Sequence, residues 1–249
     1  MDSTGAVIGS ILAYLLWQGG MSYSSIFMVA GGLSLVALLP FYKVLESFRA
    51  PNCEVRLKLS GLSPELRRFL VIASLFALGN FSYMFFILRA QGLFSGAEAV
   101  AAPLLLYALF NLVYALLAMP IGIWSDRVGR KRVLALGYAL FALTALGFAF
   151  VSNLAGLIAL FALYGLVYAL VDGSERAYVS DLSPGSLRGS SLGLYYGAIG
   201  VAAIISSLAA GALWAWWGAE ATFTFGAGAA ALAAIALLGM KKTEVVAMP

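Results

Sequence analysis

The chain has 249 residues, of which 63% are hydrophobic and only 10% charged. A water-soluble domain is nearer half apolar and a quarter charged, so this composition excludes a soluble globular protein and low-complexity disorder and indicates an integral membrane protein. The net charge of +4 sits in short segments beside apolar runs, which argues against nucleic-acid binding; with no histidine and a single cysteine, Cys53, the chain forms no internal disulfide and no ordinary histidine–cysteine zinc site.

A membrane-spanning helix takes about 20 apolar residues. Eight such stretches are predicted, at about 3–19, 22–42, 67–90, 98–121, 133–151, 154–173, 189–213 and 217–240. The first is short, closes at Gly19 and Gly20, and lacks the basic start of a signal peptide. Its Gly5 and Gly9, four residues apart, suit close helix contact, with the fourth span as the expected partner. Residues 43–66 mix charges and break the apolar pattern, as a cytoplasmic linker would. That segment ends on Ser63 and Pro64, an N-cap followed by proline at the first helical position; Ser183 and Pro184 repeat the device before the seventh span.

The third span carries Asn80 and Tyr83, and Arg89 near its end. Tyr107, Asn111 and Tyr114 fall at i, i+4 and i+7 on one face of the fourth. A densely basic segment, G-I-W-S-D-R-V-G-R-K-R at 122–132, then turns the chain into the fifth span. Ser152 and Asn153 leave room only for a tight antiparallel turn into the sixth, which carries Tyr164 and Tyr168. Gly189, Gly193 and Gly197 mark one face of the seventh. The second, fifth and eighth spans are poorer in polar groups, Thr224 and Tyr138 excepted, and are expected to face lipid. Alternating the spans puts both termini on one side together with fourteen of the fifteen basic residues, leaving Arg89 alone on the other. The positive-inside rule makes the crowded side cytoplasmic, in a cell membrane.

The pattern G-x-x-x-D-R-x-G-R-[KR] between two membrane helices resembles the signature loop of the major facilitator superfamily. The run E-R-A-Y-V-S-D-L-S-P-G-S-L-R-G at 175–189 resembles the segment before that family's eleventh helix, and 43–66 resembles the join between its two six-helix halves. The resemblance implies an all-α polytopic fold matching helices five to twelve: residues 1–42 as the last two helices of the amino-terminal half, 67–240 as a six-helix carboxy-terminal half, and 241–249 as a cytoplasmic tail. The family's first four helices have no counterpart. A separate four-helix polypeptide is then one expected partner, beside the lipid bilayer and a small-molecule substrate. The glycines of the seventh span would face the absent second helix.

The resemblance also assigns roles. Gly122, Asp126, Arg127, Gly129, Arg130 and Lys131 form a gating motif. Asp126 would lie by the positive end of the first span's start, a contact worth about 0.3–1 kcal/mol. Arg130 would pair with Glu175 or Asp172, beside Arg176, as a latch between access states; the plainer reading is that these arginines only enforce topology. Asn80, Tyr83, Tyr107, Asn111, Tyr114, Tyr164 and Tyr168 would line the transport pathway; taken singly, each also suits an interfacial anchor or a helix-packing hydrogen bond. Arg89 would attract an anionic substrate or snorkel to the interface.

There is no phosphate loop of the G-x-x-x-x-G-K-[ST] type, no histidine for Ser/His or Cys/His catalysis, and no cofactor motif. Asp126, Asp172 and Glu175 lie toward the cytoplasmic side, and Glu98 and Glu220 toward the outer side, which leaves no acid near mid-depth. Gly9 is followed by Ser10 where the family's antiporters favour proline, and Tyr83 stands where some relatives carry an acid; both weigh against proton-linked drug export. The expected function is secondary transport of a small solute, not enzymatic. The alternatives are a non-transporting membrane scaffold or one component of a split transporter.

Overall fold

The computed structural model describes residues 2–38 and 62–240. The expected linker, up to residue 61, and the tail at 241–249 lie outside that range. All secondary structure among the described residues is helical: α1 (Asp2–Gln18), α2 (Tyr23–Val36), α3 (Pro64–Gly79), α4 (Met84–Gln91), α5 (Glu98–Val128), α6 (Arg130–Phe150), α7 (Leu154–Asp181), a short turn of 3-10 helix (Gly185–Leu187) and α8 (Arg188–Gly239). Among the described residues, five stretches are long and apolar enough to cross a bilayer: Pro64–Gln91, Glu98–Val128, Arg130–Phe150, Leu154–Asp181 and Arg188–Gly239. Two apolar helices are shorter, Gly5–Gln18 and Tyr23–Val36.

Ser63 caps α3 as its sequence predicts, its Oγ accepting from the Leu66 N–H at 3.2 Å while donating to the Leu182 carbonyl at 3.1 Å. Asn153 caps α7 likewise, accepting from Gly156 N–H at 2.7 Å, so the turn from α6 to α7 is as tight as expected. Ser183 does not repeat the device. Its hydroxyl turns back to the Val179 carbonyl at 2.6 Å, and α8 starts without a side-chain cap. Ser183 therefore serves the carbonyl-rich end of the helix before it rather than the N–H-rich start of the next.

The third span is broken. α3 stops at Gly79 and α4 resumes at Met84. The break frees the Leu78 carbonyl, and Ser206 of α8 supplies a donor at 2.7 Å. In an apolar surrounding such a group needs a partner, and irregular backbone is tolerated where other helices provide one. Gly79 also meets Gly226 backbone to backbone: a Cβ on Gly79 would lie 2.6 Å from the Gly226 carbonyl oxygen.

α8 counts 52 residues, about 78 Å if straight, more than twice the roughly 30 Å of a bilayer core. It is not straight. Gly218 has φ 82°, and beyond it Thr222 donates to both the Gly218 and Ala210 carbonyls. Residues twelve apart in a straight helix are about 18 Å apart, so 188–217 and 219–239 run as an antiparallel pair. The exposed Trp216 and Trp217 flank this turn, where aromatic residues favour a membrane–water interface.

The helices meet around Phe86 of α4, which is 0% exposed. Its ring stacks on Tyr164 of α7 at 4.2 Å and meets Phe148 of α6 and Phe223 of α8 edge-on at 4.9 and 5.0 Å. α6 is the most enclosed of the five long stretches, 61% buried, packing on α7 and on α8. This corrects the expectation that the fifth span faces lipid: a helix wholly within a protein core and one wholly within lipid have the same apolar composition. α1 packs along α5 as expected; Ser10 is buried, while Gly5 and Gly9 border open space. α2 has no buried residue and shows Phe27 and Met28 outward.

Two cations close helix ends. Arg89 donates to the carbonyls of Phe148, Ala149 and Val151 at 3.0, 3.1 and 2.9 Å, satisfying the C-terminal carbonyls of α6. It is thus engaged by protein, neither snorkelling freely nor held open for an anion. Lys131 does the same for the end of α8, donating to Leu238 and Met240.

Gly79→Ala is expected to cost about 1–3 kcal/mol by overpacking the α3–α8 contact. Gly193→Ala, with nothing within 4 Å of its Cβ position, should leave stability unchanged or raise it. Thermal unfolding in detergent compares the two, and equal damage would contradict this packing. Arg89→Met keeps the apolar stem and removes the donors; a loss of about 2 kcal/mol is expected in the same assay.

Candidate functional site

Tyr168, Asp172 and Glu175 fall at i, i+4 and i+7 and share one face of α7. Tyr195, Ile199 and Ala203, at i, i+4 and i+8, share one face of α8, and Phe76 and Asn80 lie on α3 and at its end. These three faces enclose a half-open cavity of about 390 Å³. The cavity wall is mostly apolar and aromatic, with a small polar group set of Asn80, Tyr168, Asp172, Glu175, Arg176 and Tyr196. That mixture is typical of small-molecule sites, which run from about 300 to 1,000 Å³.

Glu175 is the most enclosed of these charges, 7% exposed. Both its oxygens are used: Tyr138 of α6 donates to Oε1 at 2.5 Å and Tyr195 of α8 donates to Oε2. The Tyr138 ring is in turn stacked on Phe76 of α3 at 3.9 Å. One carboxyl therefore gathers α6, α7 and α8, with α3 attached through a ring. Asp172 accepts from Tyr114 of α5 at 2.7 Å and is ion-paired with Arg176, one turn on in its own helix. Asn80 Oδ1 is buried and has no protein partner.

The expected pathway residues separate into two groups. Tyr83 stacks on Tyr107 at 5.2 Å, and the ring of Phe110 continues the row to Tyr168 at 5.1 Å, so the third, fourth and sixth spans do converge. Asn80 and Tyr168 border the cavity. Tyr164 is 1% exposed in the packed aromatic core, and Asn111 spends its amide on the Tyr107 carbonyl of its own helix at 2.9 Å.

The basic segment is helical almost throughout. α5 runs on through Gly122, Asp126 and Arg127 to Val128, and the chain turns at one residue, Gly129, with φ 104°. A left-handed backbone of this kind suits glycine alone. Gly122 touches nothing within 4 Å of its Cβ position, so no close approach among the described residues requires it. Arg130 pairs with neither Asp172 nor Glu175, which are occupied as above. It holds Asp126 at 2.9 Å and Asp181 at 2.7 Å, and donates to the Ala177 carbonyl at 2.7 Å. Standing at the first residue of α6, it reaches the adjacent ends of α5 and α7; Glu175 lies further in along α7, hydrogen-bonded by Tyr138 and Tyr195. Asp126 accordingly takes its hydrogen bonds from Arg130, where the start of the first span was expected. Arg127 is exposed.

The profile of the Major Facilitator Superfamily matches residues 100–247. The chain is also 40% identical over 243 residues to an uncharacterized MFS-type transporter of Methanocaldococcus jannaschii, an alignment covering 95% of this chain and 61% of that relative. The chain belongs to the major facilitator superfamily. Membership makes it a multi-pass membrane protein of a transporter family rather than an enzyme, and the chain spans 61% of the length of the relative it matches.

In this major facilitator chain, reading by sequence missed Tyr195, Tyr196, Phe76 and Asp181. Asp181 lay within the quoted run at 175–189 and, six residues beyond Glu175, was as eligible a partner for Arg130. The adjacent Tyr195 and Tyr196, set among the glycines of the seventh span, are the sequence signal for the wall on α8.

Tyr195→Phe leaves a buried carboxylate oxygen without its donor, and a loss of about 1–3 kcal/mol is expected; Tyr138→Phe should cost a similar amount. Because both act on one carboxyl, the double variant should depart from additivity by at least about 0.5 kcal/mol in thermal unfolding. Strict additivity would mean that the three groups do not act as a unit.

Proposed function

We propose that this chain forms part of a secondary transporter that moves a small solute by alternating access, with the α3–α7–α8 cavity on the solute's route. The observation that carries the reading is that α7 holds both the cavity's charged wall, Asp172 and Glu175, and, within two turns, the anchors of Arg130, Ala177 and Asp181. A shift of α7 that opens the cavity therefore works against the Arg130 junction. We take α1, α2, the α3–α4 pair, α5, α6, α7 and the two arms of α8 as eight crossings, with both termini and the basic motif cytoplasmic. Residues 43–66 are the linker to a six-helix half that rocks against its counterpart.

Gly122, Asp126, Arg127, Gly129, Arg130 and Lys131 act on this reading as the hinge and latch of the cytoplasmic side. Exposed ion pairs contribute about 0.2–1 kcal/mol each, and 1.4 kcal/mol is a tenfold change in an equilibrium. A latch of two such pairs biases access without locking it. A second reading, one component of a split assembly, is favoured by the row of Gly189, Gly193 and Gly197 facing open space. Retention of a separate four-helix polypeptide during purification would support it.

The test uses single cysteines in a Cys53→Ser background, labelled with a membrane-impermeant thiol reagent. A cysteine at position 153 should react only from outside. One at position 203, in the cavity wall, should change its ratio of inside to outside reactivity by up to about tenfold on Arg130→Ala. Labelling of position 153 only from the cytoplasmic side would reverse the topology. An unchanged ratio at position 203 would remove the latch.

A further inference from the structure

The cavity wall is unbalanced in charge and in hydrogen-bonding character. Asp172 is neutralised by Arg176, but among the described residues no Lys or Arg pairs with Glu175. Its two oxygens each accept one tyrosine hydroxyl, and a carboxylate offers about four acceptor sites, so this lining residue keeps capacity for a further donor. Asn80 Oδ1 adds a buried acceptor with no donor. The rings of Phe76, Tyr168, Tyr195 and Tyr196 supply the aromatic part of the wall, and an aromatic face attracts cations. An anionic solute would meet a wall that carries two carboxyls against one guanidinium. An ammonium group with N–H donors answers the charge, the free acceptor and the ring faces together.

We propose that the cavity binds a small organic cation, a protonated amine carrying an apolar or aromatic body. This rests on the reading of the cavity as the solute site and adds to it the class of solute. The competing possibility is that Glu175 only fastens helices and that Arg176, whose fork is partly open, recruits an anion.

Binding of three probes of similar size to the purified full chain in detergent at neutral pH separates these outcomes: 2-phenylethylammonium, 2-phenylethanol and phenylacetate, each measured by equilibrium dialysis. The ammonium is expected to bind at least about tenfold more tightly than the alcohol, with phenylacetate weaker still. Ala203→Trp fills the cavity from an exposed wall position without touching its charges, and should abolish binding. Glu175→Gln should weaken the ammonium at least about tenfold; the probe series and Ala203→Trp carry the test if that variant does not fold. Tighter binding of phenylacetate or of the alcohol, lost in Ala203→Trp, overturns the cation while keeping the cavity as a solute site. Binding indifferent to Ala203→Trp, or absent for all three probes, overturns both.

Discussion

Phe86 is where four helices meet, and the arrangement of the bundle depends on that ring being enclosed on every side. Lipid tails are as apolar as a phenylalanine, so helices in a bilayer gain little from simply hiding apolar surface from water; they associate through close van der Waals contact and through polar groups that find each other. The rings of Phe148, Tyr164 and Phe223 converge on Phe86 from α6, α7 and α8. The interruption between Gly79 and Met84 sets the helix bearing Phe86 apart from α3. The same interruption leaves Asn80 at the cavity and lets Gly79 lie directly on Gly226. Core, break and cavity are three aspects of one departure from regular helix.

The break, like the ends of α6 and α8, leaves backbone carbonyls which an apolar surrounding penalises, and side chains from distant parts of the chain answer several of them. Ser206 serves Leu78, Arg89 serves the end of α6, and Lys131 serves the end of α8. Charged residues that look like topology markers or solute attractors are, in the folded protein, partners for helix carbonyls. Glu175 belongs to the same economy of polar groups but differs in one respect: its contacts leave part of it facing a cavity rather than closing a helix end.

The sequence carried the apolar segments, the Ser63 cap, the tight turn at Asn153, the glycine turn of the basic motif and the family. Each is a local signal, written within a few consecutive residues. What it did not carry was the choice among equivalent partners. By sequence Arg130 has three acids on α7 to choose from; in the fold Tyr138 and Tyr195 hold Glu175, Arg176 holds Asp172, and Asp181 is the one that Arg130 meets. Nor could the glycines be sorted in advance. Gly5, Gly9 and Gly193 recur at the spacing expected of close contacts yet border open space, whereas Gly79 and Gly226, with no such repeat, touch. For α6 the difficulty was of another kind: lipid and protein interior select the same residues, so its enclosure is a property of its neighbours.

Ser63 binds the carbonyl of Leu182, the residue next to Asp181, which is itself gripped by Arg130. The start of α3 and the far end of α7 are thus riveted at the spot where the basic motif takes hold. Any pull arriving through the chain that precedes Ser63 is delivered, almost without lever arm, to the ion pair at the end of α7. A tether entering at that place acts beside the junction that holds the ends of α3 and α7 together.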